Sequence, residues 1–423
     1  MSMAKQGAKT AVPRLRFPEF RNALPWNAKL LKDICAVNPS NDGLPDSFVY
    51  IDLESVEDGQ LKAKNRIEKS DAPSRAQRHL RNGDVIFQVV RPYQRNNLYV
   101  DFDDGQQYVA STGYAQLRAK DSERFLYQAV HVDSFVEGVI AKCTGSNYPA
   151  INSSDLAEIQ LFAPHDAAEQ QKIADCLTSL DEVIAAQGRK VEALKAHKRG
   201  LMQQLFPREG ETRPRLRFPE FRDAPEWTFG KASDIVDVLQ GYGFPERFQG
   251  GREGEFPFYK VSDISACVDA GGILLDEANN HIDADVLKEL SAKLMPVGST
   301  VFAKIGEAIR SNKRAITSRP CLVDNNAAGV KAITGLAHDR FVYYLWCQVP
   351  LIEYAGGVVP AVNKSAIEQI PVCYPKLDEQ HRIADCLSSL DTQITAESDQ
   401  LAAFKTHKQG LMQQLFPAQE ADQ

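Results

Sequence analysis

At 423 residues the chain is too long for one ordinary domain, and its 43% hydrophobic and 25% charged content is that of a globular protein. No apolar run reaches the roughly 18 residues a membrane helix needs, and the start, MSMAKQGAKT, lacks the apolar core of a signal peptide. The net charge of −7 argues against a generally basic, nucleic-acid-binding surface, yet residues 75–100 hold five arginines against Asp84 and residues 300–320 hold five basic residues against Glu307. The eight cysteines show no CxxC pair and no Cys/His ligand spacing, which predicts buried reduced thiols in a cytoplasmic protein and no metal site.

Taken in chain order, a leader PRLRFPEFRNALPW (13–26) comes first. Short apolar runs DVIFQVV, NNLYVDF and EIQLFAP then read as strands, and 123–137 reads as a short amphipathic helix. Between the first two strands, VRPYQRNN places Arg91, Tyr93, Arg95, Asn96 and Asn97 in a loop. Arg pairs with guanine and Asn with adenine through two hydrogen bonds each, so this loop is a candidate for base contact. The turn-rich STGY (Thr112, Tyr114) and GSNYPAIN (Asn147, Tyr148) are candidates of the same kind.

Residues 167–205 follow a heptad stripe: Ile173, Leu177, Leu180, Ile184, Gln187, Val191, Leu194, Lys198, Leu201 and Leu205. The pattern predicts a helix roughly 58 Å long, capped by Asp166 and closed by Pro207. Two readings stay open. The helix could pack on its own domain, or it could pair with a second such helix.

That second helix is spelled out, because the chain repeats itself. Residues 171–207 and 381–417 align without a gap, with 22 identities, and PRLRFPEFRDAPEW (214–227) repeats the leader. The second stripe is Ile383, Leu387, Leu390, Ile394, Glu397, Leu401, Phe404, Lys408, Leu411 and Leu415, with its polar interruptions where the first has them. Polar seam residues fix register and partner choice. Between leader and trailer, STVFAKI, RAITS and QIPVCYP read as strands and 339–353 as a helix. The loop AKIGEAIRSNKRAI aligns with the first basic loop and offers Lys304, Arg310, Asn312, Lys313 and Arg314; GGVVPAVNK adds Asn363 and Lys364. DNNAAG (324–329) is a further polar turn. The chain is therefore two copies of one unit, each a leader, a mixed α/β body and a helix.

No phosphate loop, helicase set, nuclease carboxylate cluster, methyltransferase Asp/Asn-Pro-Pro-aromatic motif or GxGxxG is present. The pattern is that of a recognition and assembly protein without catalytic residues. An adaptor whose bodies bind protein and not DNA is the competing reading.

In their doubled order, GDVIFQVVRPYQRNNLYV, STGYAQLR, GSNYPAINSSDLAEIQL, the trailer, YKVSDI, VFAKIGEAIRSNKRAI and GGVVPAVNKSAIEQI resemble the specificity subunit of type I restriction–modification systems. The resemblance implies two α/β (α+β) target-recognition domains joined by two long helices in an antiparallel coiled coil, a pseudo-twofold internal repeat. It implies a domain order of 1–165, helix 166–207, 208–376, helix 377–417 and tail 418–423. Each body would read half of a bipartite double-stranded DNA site through the major groove, and the helices would set the spacer. Two methyltransferase subunits would dock on it, with restriction subunits in the full complex. S-adenosylmethionine, Mg and ATP would belong to those partners, so this chain would bind no cofactor.

Overall fold

The computed structural model describes residues 9–41 and 43–417; the tail expected at 418–423 lies outside them. The two trailers are unbroken helices, Ala167–Leu205 and Leu377–Leu415. Asp166 caps the first, its carboxylate accepting from the Ala168 N–H at 2.8 Å. Within the described residues two compact units form, one from the chain up to Ala186 together with the chain from Leu401 onward, the other from Gln187–Gln400. The units thus do not follow the expected order of leader, body and trailer. Each helix gives its first half to one unit and its second half to the other.

In the first unit, Leu98–Tyr99, Val85–Gln88, Tyr114–Ala119 and Cys35–Val37 form an antiparallel sheet. All four residues of Val85–Gln88 are buried, which explains the apolar run Val85-Ile86-Phe87 and leaves Gln88 as a buried polar residue at its end. A second sheet has the order Asn65–Glu68, Ser47–Ile51, Tyr108–Ser111, Ala76–His79, and its central pair is parallel. A third pairs Gln160–Ala163 with Trp26–Leu30.

The second unit repeats this plan. Val236–Gln240, Ala327–Ala332, Thr300–Ala303 and Arg314–Thr317 form the antiparallel run, Phe256–Tyr259 lies parallel to Leu322–Val323, and Thr228–Lys231 pairs with Pro371–Tyr374. The equivalence reaches every strand that the sequence pattern predicts in either body.

The helix expected over 123–137 is two helices, Glu123–Ala129 and Asp133–Ala141. Val132 between them is extended, and the His131 imidazole bonds the Tyr127 carbonyl at 2.7 Å. The helix expected over 339–353 ends at Gln348, because Pro350 cannot continue it, and a short 3₁₀ turn follows over Leu351–Tyr354.

The same anchor roots each unit. In the first, the Arg16 guanidinium grips Glu169 of the helix's first turn with two hydrogen bonds (2.6 and 2.7 Å), and the Trp26 indole donates to the same carboxylate at 3.2 Å. Phe416, from the far end of the second helix, packs on Trp26 and Phe125 at 5.8 and 5.6 Å. In the second unit Arg217, Glu379 and Trp227 repeat the clamp at 2.7, 2.6 and 3.3 Å. Phe206 there packs on Trp227 and Phe341 at 5.9 and 5.5 Å. Backbone bonds fasten leader to trailer, Leu15 N–H to the Gln414 carbonyl and Leu216 N–H to the Gln204 carbonyl, each at 2.9 Å. The phrase LMQQLFP is therefore helix end and domain core at once.

Within each unit the helices run antiparallel. In the second, the Gln187 amide donates to the Glu397 carbonyl and carboxylate at 2.9 and 2.7 Å, so the two polar seam residues meet each other. Lys190 and Gln187 together hold the Glu397 carboxyl below its ordinary range. Lys198 pairs with Asp391, which also accepts from the Tyr344 hydroxyl at 2.5 Å. In the first unit Lys408 pairs with Asp181 at 2.6 Å, and Asp181 accepts from the Gln128 amide at 2.8 Å.

Both readings of the stripe thus describe part of it. Ile173, Leu177 and Leu415 join the first unit's core; Ile383, Leu387 and Leu205 join the second's. Leu180, Ile184, Leu194, Leu201, Leu390, Ile394, Phe404 and Leu411 are partly buried along the helices.

Candidate nucleic-acid interface

Two polar loops sit side by side in each body, held by the same backbone bonds. In the first body the loop after Val85–Gln88 lies along residues 144–151. The Arg91 N–H donates to the Pro149 carbonyl at 2.8 Å, and Ile151 to Val89 at 3.0 Å. In the second body Gly306 donates to Pro360 at 2.8 Å, and Val362 to Lys304 at 2.9 Å. Asn152 and Asn363, at matching places, each cap the helix that follows by accepting a backbone N–H at 2.8 Å. Asn363 is thus a structural residue.

In the first body the chain turns sharply here. Arg91 and Arg95 both adopt left-handed backbone (φ 55°), an uncommon state for arginine. The turn lays the Arg91 guanidinium over the exposed Tyr148 ring, 4.4 Å from its centroid. An open groove beside them is lined by Arg75, Gln88, Arg91, Gln94, Asn96, Thr112 and Tyr148, and also by Lys62, Glu54 and Glu57. Gln88 donates to Gln94 at 2.8 Å. Tyr93 is exposed on the 3₁₀ turn Pro92–Gln94, and Asn147 on the tip beside Tyr148.

Three of the expected first-body contacts are spent on structure. Arg95 binds Asp133 at 2.7 Å and the His131 carbonyl at 3.1 Å. Asn97 is buried, accepting from the Gln88 N–H at 2.8 Å and facing the His131 ring at 3.2 Å. Tyr114 is fully buried with its hydroxyl on the Asp52 carbonyl at 3.3 Å, and burial pushes that phenol well above its ordinary range. Neither buried side chain is offered at a surface.

The second body differs in what it offers. Lys304 donates to Gln240 at 2.7 Å, and its partial burial lowers the ammonium pKa. Arg310 is exposed, bonding Glu307 at 2.9 Å. Lys313 pairs with Asp269 at 2.6 Å, and Lys364 approaches Glu368 at 3.6 Å.

Arg314 corrects a sequence expectation. It is 3% exposed, donates to the Asn312 side chain and the Lys313 and Val349 carbonyls at 2.6, 2.9 and 3.3 Å, and lies 5.1 Å from the Phe302 ring centroid. Burial with no carboxylate partner pulls its pKa down to about 10. It begins a strand inside the sheet whose four residues are all buried, so neither face of the strand leads to solvent. Asn312, left-handed at φ 50°, is engaged by Arg314 and reaches the Cys347 carbonyl at 3.4 Å.

Sequence reasoning missed Arg75, Gln88 and Gln94 in the groove. Gln88 was signalled, being the polar letter inside the apolar DVIFQVV. It also missed the exposed Val358 and Val359 beside the second basic loop. No group of metal-ligating side chains exists among the described residues, and no described helix is long and apolar enough to cross a membrane.

A family model described as the type I restriction modification DNA specificity domain matches residues 64–196 and 225–404. A Methanocaldococcus jannaschii protein assigned as the MjaX specificity subunit of a type I restriction enzyme is 26% identical over 279 residues, 64% of this chain. That match spans 61% of the relative's own length. The MjaVIII specificity subunit of the same organism is 20% identical over 330 residues, 74% of each chain. The crystal structure of a type I restriction–modification S subunit from M. genitalium aligns with a TM-score of 0.59 at 14% identity, covering 96% of this chain and 100% of that one, a likeness of fold.

Proposed function

Because the chain belongs to the family of the type I restriction modification DNA specificity domain, we propose that it is the non-catalytic, sequence-reading subunit of a type I restriction–modification complex. Each body reads one half of a bipartite double-stranded site through the major groove. The paired helices set the number of base pairs between the halves. Two methyltransferase subunits, and restriction subunits through them, dock on the chain. They carry S-adenosylmethionine, Mg and ATP, methylate adenine and cut unmodified DNA in the cytoplasm.

The observation that carries this reading is the pair of bodies with one frame and two different loop sets. Their loops are bonded alike, yet the first offers Arg91, Asn96, Thr112 and Tyr148 where the second offers Lys304 and Arg310. Two frames with different contact chemistry suit a target with two different halves. The modest acidity of the chain is compatible with this, since partners can share the phosphate contacts.

Methylome sequencing of a host expressing the complex tests it. A split adenine-methylated motif is expected. Inserting one heptad into each long helix near Gln187 and Glu397 should change the gap and leave both half-sequences alone. An unchanged gap would sink the spacing role.

A further inference from the structure

The second body carries two fully presented valines that the frame does nothing to hide. Val358 is 105% and Val359 62% exposed, the former more than any other large apolar side chain described. Isolated exposed apolar residues are ordinary. These two are placed by an unusual amount of structure. Gly356 and Ala361 exchange two backbone bonds of 3.1 Å that close the turn. Gly357 makes the turn at φ 91°, a backbone state that excludes most side chains. The Gly306–Pro360 and Val362–Lys304 bonds then lock the turn against the loop bearing Lys304 and Arg310.

The first body builds the same device. There Thr144 and Ala150 close the turn at 2.9 and 3.0 Å, and Tyr148 stands at the tip beneath Arg91. Matched on their closing bonds and left-handed glycines, the turns pair Thr144 with Gly356 and Gly145 with Gly357, and after the tip Pro149-Ala150-Ile151-Asn152 with Pro360-Ala361-Val362-Asn363. What changes in character is the tip between glycine and proline: Ser146, Asn147 and Tyr148 in the first body against Val358 and Val359 in the second, which is one residue shorter. A surface that met the same partner protein in both copies would be kept in both. A tip that changes on a kept frame meets something that differs between the copies, and under the reading above that is the base sequence.

On that reading, we infer that Val358 and Val359 are specificity-determining residues that pack against the C5-methyl group of thymine in the second half-site. The chemistry fits. The thymine methyl is the one apolar feature of the major-groove edge, and apolar side chains read it by contact alone. β-Branched side chains have little rotamer freedom to lose, so a rigid turn presents their methyls at low entropic cost. Lys304 and Arg310 in the adjoining loop supply charge for the phosphates that flank such a contact.

The test uses the full chain in its methyltransferase complex, with the motif first fixed by methylome sequencing. Duplexes are made in which each thymine of the motif is replaced in turn by deoxyuridine, which lacks only the methyl. Wild-type binding should weaken roughly three- to fivefold, the worth of one buried methyl group, at one or two thymines of the second half-site. The Val358→Ser, Val359→Ser double variant should bind thymine duplexes that much more weakly and no longer respond to uracil there. Its response to uracil in the first half-site should equal the wild type's. A second half-site without thymine, or a variant with the wild-type uracil response, overturns the inference and leaves the split-site reading standing. A variant that fails to assemble with the methyltransferase subunits overturns it too, since the valines would then be docking on protein. A methylome with no split motif removes the underlying reading and this inference together.

Discussion

The anchors and the loop faces of the two units answer opposite demands. At each anchor a leader arginine, a helix glutamate, a tryptophan and a phenylalanine recur with hydrogen bonds that agree to within about a tenth of an ångström: Arg16–Glu169 and Arg217–Glu379 at 2.6–2.7 Å, the indole bonds at 3.2 and 3.3 Å. At the loop faces the backbone bonds recur and the side chains do not. Selection for a closed core leaves little room for variation. A reading surface needs variation, and only its carrier needs to stay constant.

The widest separation between the two regions should come from the anchors. Glu169→Ala strands Arg16, whose side chain is 7% exposed, as a buried unpaired charge. A loss of about 3–5 kcal/mol in the first unit is expected from denaturant unfolding, and Glu379→Ala should do the same to the second. Equal unfolding of both units by either change would break the picture of two separate anchors.

A smaller effect comes from pH. The His131 ring is held neutral by desolvation, its pKa pulled down to about 4 from 6.5. The unfolded chain therefore takes up a proton first on acidification. This contribution to stability is complete above pH 6.5 and is lost progressively as pH falls from 6.5 to 4. A several-degree fall in Tm between pH 7 and 5 should be flattened in His131→Gln.

Next come the helix pairs. Lys198→Ala and Lys408→Ala remove partly buried ion pairs to Asp391 and Asp181 and should cost about 1 kcal/mol each. The smallest change in stability is expected at the loop. Arg91→Ala should move unfolding by less than about 0.5 kcal/mol, while binding assays show weaker reading of one half-site only. A large loss of stability there would place Arg91 with the anchors.

Much of this was legible before the fold was seen. Strands such as Val85–Gln88 and Thr300–Ala303 declare themselves as apolar runs between turns, and the long helices as heptads broken at matched places. Gly145, Pro149 and Asn152 marked a shaped loop. What stayed hidden was tertiary. Arg314 looks like any loop cation until its strand pairing buries it. Glu169 sits in a polar string at the start of a helix, and nothing local says that an arginine 153 positions earlier will bury it. Above all, a repeat written as leader, body and helix suggests that each copy closes on itself, whereas Phe206 and Phe416 each complete the core reached by the other copy's leader.

That exchange has a bearing on the order of events at the ribosome. The second unit is one continuous stretch, Gln187–Gln400, and can close as soon as it is made. The first unit, although synthesised earlier, waits for Leu411, Leu415 and Phe416 to cover Trp26 and Phe125. Its closure joins segments separated by more than two hundred residues, a long-range step that comes late and leaves apolar surface open meanwhile. The first half of the message is therefore the last to become a finished domain. A released chain truncated after Gln400 should protect the second unit from protease while the first is still cut.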